Sequence, residues 1–304
     1  MKSVCVLLST YNGEKYLPAQ IESLLKQEGI ELSVIARDDG SKDGTVELLR
    51  YYSNKDSRLD FYKGKNLGVA QSFFNLIKYA KPADYYAFCD QDDIWDSDKL
   101  KCAVDFLEKE DNSKPNMYFS NLRIVDQKLT YYRLSHLTPL IQKNKYSALT
   151  EDIATGCTIV FNYTAKEYAK SRIPEYCSMH DTWIYMICKF FGKCVYDFNA
   201  HISYRQHGNN VVGTYLDKKP VSLYIARINR LFNRKLQPRY NNARNFYYLF
   251  GDKLDFVDAL KVKELAYYKA SLKSRFKLLF DKDINASSWS REICYRILIV
   301  LGIV

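Results

Sequence analysis

No stretch of this chain approaches the ~20 apolar residues that a membrane-spanning helix needs. The nearest, Ile297–Val304, is an octamer. The opening residues, MKSVCVLLSTYN, meet a turn too early for a secretory leader, so no signal peptide is expected. The 8 cysteines, at 5, 89, 102, 157, 177, 188, 194 and 294, include no C-x-x-C pair. A zinc ribbon or thioredoxin-like centre therefore has no support. Most of them stand in apolar runs, where cysteine acts as a small hydrophobe. They are expected to be reduced, and the protein cytosolic. There is no internal repeat and no low-complexity segment. Nor is there the polar excess of a disordered chain: of 304 residues, 47% are hydrophobic and 26% charged. That length suits one large domain, or a domain with an appendage.

An excess of charge is missing from most of the chain as well. Of 45 Lys+Arg and 35 Asp+Glu, 18 and 8 lie beyond residue 213. The first 213 residues hold 27 of each sign, so the whole net charge of +10 belongs to the remainder. The expected organisation is a neutral body, 1–213, and a basic helical region, 214–304. A basic surface attracts anionic partners such as nucleic acid or acidic lipid. A merely solvated helical surface is the competing reading.

What is present is a regular alternation. Val4–Leu8, Leu32–Ala36, Leu59–Tyr62 and Tyr85–Cys89 are strand-like. Tyr16–Lys26, Thr45–Tyr52, Ala70–Ala80 and Lys99–Lys109 have helical spacing. Such alternation predicts βαβ units and a mostly parallel sheet. Met117–Val125 reads as a further strand, and Gln127–Lys145 as a polar, irregular loop or lid. Thr155–Phe161 turns from small to apolar, His180–Phe191 is helical, and Lys193–Asp197 and His201–Tyr204 are short strands. After Gly213, helices are expected at Val221–Leu231, Asn241–Phe250, Phe256–Tyr268 and Ile293–Val304.

Ligands of parallel sheets bind at the carboxyl ends of the strands. Three polar clusters fall there: Ser9-Thr10-Tyr11-Asn12, Asp38-Asp39, and Asp90-Gln91-Asp92-Asp93. Three carboxylates within four residues repel one another unless something positive neutralises them. A hard divalent cation, Mg²⁺ or Mn²⁺, does so through oxygen and keeps room for phosphates. The competing reading is a solvated turn, with Asp96 or Ser97 capping the next helix. Asp38-Asp39-Gly40-Ser41 is either a plain turn or a carboxylate that holds a base or ribose. Asp181 opens a helix, where a carboxylate favours the dipole or serves as a general base beside Trp183. His207 follows a strand in a polar, glycine-containing setting that suits a metal or phosphate contact.

The segments LLSTYNGEKYL, ARDDGSKDGT, NLGVAQSF, FCDQDDIW, ATGCTIVFN, MHDTW and YRQHGNNVVG occur in that order. Together they resemble the family 2 inverting glycosyltransferases, and more narrowly the bacterial rhamnosyltransferase branch that builds cell-wall rhamnan, capsule and O-antigen. The match spans about 3–213. It implies an α/β GT-A fold, Rossmann-like, with a C-terminal helical extension that is matched only loosely. By the resemblance, Ser9, Tyr11, Asp39, Asn66 and Asp90 bind the nucleotide sugar. Asp92, Asp93 and His207 hold the metal, with Asp92 as first choice, and Asp90 and Asp92 form the DxD pattern. Thr155, Gly156 and Trp183 border the acceptor, and Asp181 is the catalytic base. The family often has Glu-Asp where this chain has His180-Asp181, which places the base on Asp181.

The resemblance further implies transfer of L-rhamnose from dTDP-rhamnose onto a lipid-linked cell-surface glycan. The basic region then suits peripheral binding to the anionic inner face of the cell membrane, with no nucleic-acid partner. A UDP-hexose donor is the alternative within the class, since no motif determines the sugar. A non-catalytic nucleotide-sugar binding protein is the alternative outside it. A nucleic-acid binder is disfavoured because acidic strand ends repel phosphate.

Overall fold

The apolar run Val4–Leu8 becomes the middle of strand β1 (Ser3–Thr10), and its residues are buried on both faces. This is the pattern of a strand inside a covered parallel sheet. In the computed structural model, which describes residues 1–140, 144–208, 237–286 and 289–304, β1 lies between two parallel neighbours. These are β2 (Glu31–Asp38) and β4 (Tyr85–Cys89), with β3 (Leu59–Lys63) outside β2. Helices α1 (Leu17–Leu25), α2 (Thr45–Lys55) and α3 (Val69–Tyr79) form the crossovers. Leu17, Ile21 and Leu24 of α1 pack in one core with Val4, Val6 and Leu8. Each such side chain contributes about 1.5–3 kcal/mol on burial. The expected parallel α/β body is therefore present, with boundaries within a few residues of the periodicity.

The second half of the sheet determines where the site can form. After β5 (Ile94–Trp95) and α4 (Lys99–Leu107), strand β6 (Asn116–Val125) enters the sheet, and the order becomes β3-β2-β1-β4-β8-β6-β9-β5. Strand β8 (Val160–Asn162) is antiparallel to both β4 and β6, so β6 points the same way as β4. Strand β9 (Lys193–Arg205) is parallel to β6. The carboxyl end of β9 therefore lies on the side where β1, β2 and β4 end. Helices α5 (Tyr163–Ser171) and α6 (His180–Phe191) precede β9, and α6 returns its first turn to that side.

Three expectations change here. Lys193–Asp197 and His201–Tyr204 are one strand, because the register against β6 slips near Ser120 and Asn121 and absorbs Phe198 and Asn199. Part of the irregular stretch Gln127–Lys145 is ordered: β7 (Tyr131–Leu134) folds back on β6 as a hairpin. The acidic turn after β4 leads to Asp98, rather than Asp96 or Ser97, as the N-cap of α4.

The described residues fall into two units: 1–140, 154–171 and 179–208 in the first, and 144–153, 172–178, 237–286 and 289–304 in the second. The second unit holds α7 (Pro238–Phe250), α8 (Phe256–Ala266), α9 (Leu272–Leu279) and α10 (Trp289–Leu301). Three of these were expected, and α9 was not. The expected boundary at Thr214 and the helix Val221–Leu231 lie outside the described residues, as do 209–213 of the last motif. None of the 8 cysteines is in a disulfide.

Candidate active site

The turn that ends β2 is built by its own carboxylates. The Asp38 Oδ2 atom accepts hydrogen bonds from the backbone N–H groups of Gly40 (3.1 Å) and Ser41 (3.0 Å). Gly40 sits at φ +85°, where a side chain would be strained. Asp39 is buried, and its Oδ1 accepts from the Arg37 guanidinium and from Leu67 N (2.8 Å). Its Oδ2 accepts from Gly68 N at 2.9 Å. Asp39 thus ties the loop after β3 to the end of β2, and three of its four lone-pair directions are taken. Asn66 stands exposed in that loop.

The ends of β1 and β4 are joined by Gln91. Its Oε1 accepts from Tyr11 N (2.8 Å), and its Nε2 donates to Tyr11 O (3.0 Å). Tyr11 remains exposed, while Ser9 is paired with the Ser72 hydroxyl at 2.6 Å. Ser9 therefore faces α3 in this arrangement.

The acidic turn after β4 divides its carboxylates between two clusters. Asp92 Oδ2 lies 2.7 Å from His207 Nε2, and the His207 ring stacks on Tyr16 with centroids 4.8 Å apart. Asp93 turns inward, fully buried, beside Asp90 and Cys157. Arg205 holds both halves of the turn. Its backbone N–H donates to Asp93 Oδ1 (3.1 Å), its Nε to the Asp92 carbonyl (2.8 Å), and its Nη1 to the Gln127 carbonyl (2.7 Å).

The electrostatics of this end are those of crowded acids. Burial, with Asp92 and Asp181 nearby, pushes the Asp90 carboxyl up to about 7. Burial, with Asp92 and Asp90 beside it, raises the Asp93 carboxyl well above the usual carboxylate range, and its Oδ2 has no hydrogen-bond partner among the described residues. Lys99 lies close by, fully buried, with its ammonium 3.9 Å above the Trp95 ring. Burial brings Lys99 down to about 8. An orphaned carboxylate oxygen and a raised neighbour are what a bound divalent cation would relieve. The residues present fit such an ion, held by the Asp92–His207 pair or by Asp90 and Asp93.

Asp181 lies in the first turn of α6, where its Oδ1 accepts from Thr182 N at 2.7 Å. Burial pushes its carboxyl up to about 6, against the pull of hydrogen bonds from the Thr182 and Gly156 amides. Gly156 packs so closely that an added Cβ would lie 3.2 Å from Asp181 Oδ2 and 3.1 Å from His180 Nε2. His180 is stacked on Phe73 (centroids 3.8 Å) and crossed by Phe88, and burial lowers it to about 3, so it is neutral. Thr155 is exposed beside Gly156.

One expected contact takes a different place. Trp183 is 0% exposed, on the inner face of α6. Its position one turn into the helix sends the indole into the core, so it forms a wall behind the site rather than a surface for an acceptor. Asp90, Asp92, Asp93, His207, Asp181 and Gly156 belong to the same end of the sheet, by the bonds and electrostatic couplings above. Arg205, Gln91, Tyr16, Lys99 and Cys157 were not anticipated. Four of them stand inside or beside the motif segments, but their types suggest no role until long-range contacts are known.

A sequence profile described as Glycosyl transferase family 2 matches residues 5–176. The dTDP-rhamnosyl transferase RfbG of Shigella flexneri is 28% identical over 252 residues, covering 78% of this chain and 84% of that one. Among solved structures, S. aureus TarS 1–349 in complex with UDP-GlcNAc superposes with TM-score 0.55 at 16% identity, covering 91% of this chain and 83% of that chain. The mannosyltransferase PcManGT from Pyrobaculum calidifontis, in complex with GDP-Man and Mn²⁺, gives TM-score 0.54 at 15% identity, covering 98% of this chain and 86% of that chain.

Proposed function

The chain belongs to glycosyl transferase family 2 and has the GT-A fold, and from that premise we propose that it is an inverting transferase that moves L-rhamnose from dTDP-rhamnose onto a lipid-linked glycan. The observation that carries the reading is the meeting of Asp181, poised at about 6, with the carboxylates of the β4 turn. A carboxylate at that value is ionised at neutral pH and still basic enough to take a proton in the transition state. Asp181 accepts the proton of the acceptor hydroxyl, and that oxygen attacks the anomeric carbon from the face opposite the diphosphate. Thr155, exposed beside the buried Gly156, borders the acceptor side of the base. Asp39, Tyr11, Asn66 and Ser9 frame the nucleotide end. Asp92 and His207, or Asp90 and Asp93, hold the divalent cation, whose chemistry when bound is to offset the charge of the leaving diphosphate. The described residues of the first unit carry this chemistry.

The rhamnosyl donor is supported by the similarity to the Shigella dTDP-rhamnosyl transferase. The UDP-GlcNAc complex of TarS keeps a UDP-sugar as the second reading. Nucleoside diphosphate release from a panel of nucleotide sugars decides between them. Release from dTDP-rhamnose alone, abolished by EDTA and restored by Mg²⁺ or Mn²⁺, is expected. Release from a UDP-sugar instead would keep the class and remove the rhamnosyl assignment. Absence of both release and binding for every donor would overturn the reading.

The helical region supports a membrane partner. On α10, Trp289, Ile293, Ile297, Val300 and Leu301 are exposed along one stripe. On α9, Leu272 and Phe276, with Phe280 at its C-cap, are exposed beside Lys273 and Lys277. Apolar side chains flanked by cations are the composition of an interfacial helix. Each lysine or arginine near an anionic surface adds about 1 kcal/mol. The protein is expected to float with vesicles that contain anionic phospholipid. A paired Trp289→Glu, Ile297→Glu variant should remain unbound. No flotation of the parent would count against this partner.

A further inference from the structure

A second cluster of ligand-type side chains, sharing no residue with the site above, joins the start of α4 to β9. Asp98 is the N-cap of α4, yet its carboxylate makes no capping bond to the helix amides. An aspartate in that position normally accepts from the second or third helical N–H. Here it turns the other way. Its Oδ1 lies 3.2 Å from His201 Nδ1, and its Oδ2 lies 3.5 Å from Cys102 Sγ. Cys102 stands one helical turn beyond Asp98, so the helix puts both on one face. The three ligand atoms lie within 4.8 Å of one another.

The far side of the histidine is also arranged. His201 Nε2 lies 3.3 Å from Asp197 Oδ2. Asp197 is itself held by the Tyr118 hydroxyl (3.0 Å) and by Asn199 N (2.8 Å). A metal-binding imidazole characteristically donates its other N–H to a carboxylate, which sets the tautomer and aims the free nitrogen. His201 is half-buried and Cys102 is partly buried, while Asp98 is open to solvent. Ions can therefore enter, and a water can fill the fourth position.

We propose that Asp98, Cys102 and His201 bind a borderline-soft divalent cation of the zinc class, with Asp197 orienting the imidazole. The donor set of one sulfur, one nitrogen and one oxygen disfavours magnesium, which takes oxygen, and suits zinc or cobalt. Such an ion cross-links α4, which follows the acidic turn, to β9, which delivers Arg205 and His207. Cys102 would ligate as the thiolate, so binding would release its proton.

Co²⁺ added to the full-length, EDTA-stripped protein provides the test, because thiolate ligation gives a near-ultraviolet charge-transfer band. The band should saturate with one equivalent per chain and be displaced by Zn²⁺. It should vanish in Cys102→Ser, persist in Cys157→Ser, and weaken at least tenfold in apparent affinity in His201→Gln. Asp197→Asn should keep the band while losing roughly 10–100-fold in affinity. Persistence of the band in Cys102→Ser, its loss in Cys157→Ser, or no band in the parent protein would overturn the proposal. Because none of these readouts involves sugar transfer, failure here is distinguishable from failure of the proposed activity.

Discussion

Asp181→Asn is expected to lower turnover roughly 10²–10⁴-fold, the range for loss of a general base, while the Kd for the nucleotide sugar stays within about twofold. The amide keeps the size of the carboxylate and can keep its contacts near the Gly156 and Thr182 amides, so α6 should fold unchanged. The substitution removes only the capacity to take a proton. The parent enzyme should show the complementary pH signature. Burial raises the Asp181 pKa to about 6, so the active, ionised form is lost as pH falls through that value. Turnover should therefore rise with pH up to about 6 and level off above it, a limb that Asp181→Asn should lack. Near-normal turnover of the variant, or an unaltered limb, would remove Asp181 as the base.

Gly192→Ala should be among the most destabilising single-methyl substitutions in the chain, by about 3 kcal/mol or more. Gly192 makes the turn between α6 and β9, and its N–H donates to the Cys188 carbonyl at 3.0 Å. A Cβ at this position would lie 1.8 Å from the Pro115 carbonyl oxygen. That oxygen is backbone and also accepts from Lys193 N at 3.2 Å, where β9 joins β6, so it cannot swing aside. Relief requires moving β6 or the α6–β9 corner, and that corner carries Asp181 at one end and Arg205 at the other. The loss should appear as a lower denaturant midpoint with an unchanged slope. A midpoint equal to that of the parent would mean that the corner is softer than its packing implies. Gly13 offers a contrast. Its Cβ would meet Gln91 Oε1 at 2.2 Å, but that atom ends a flexible side chain.

Much of the first unit was legible in the residues. Tyr85–Cys89 and His180–Phe191 coincide with their observed elements, because an apolar run and a helical repeat are local properties of the chain. The motif segments pointed to the strand ends for the same reason. Less was legible where an element owes its existence to a neighbour. The two-residue strand β5 exists because Ile94 and Trp95 pair with Ser203 and Ile202. The strand β7 exists because Arg133 and Leu134 meet Ile124 and Arg123. Neither has a periodicity of its own to read.

The sequence by itself determined the parallel α/β body and the family, and it pointed to the acidic strand end as the candidate site. Only the tertiary structure decided which partners those acids take. It gave His207 to Asp92, turned Asp93 inward toward Cys157 and Lys99, engaged Asp39 with Arg37 and the loop amides, and buried Trp183. The physical reason is strand order. Asp92 and His207 are 115 residues apart. They meet because β8 enters antiparallel between β4 and β6 and makes the parallel pair β6–β9 end on the same side. Local spacing selects strands and helices, but the order in which strands pair depends on how the whole apolar surface is covered at once.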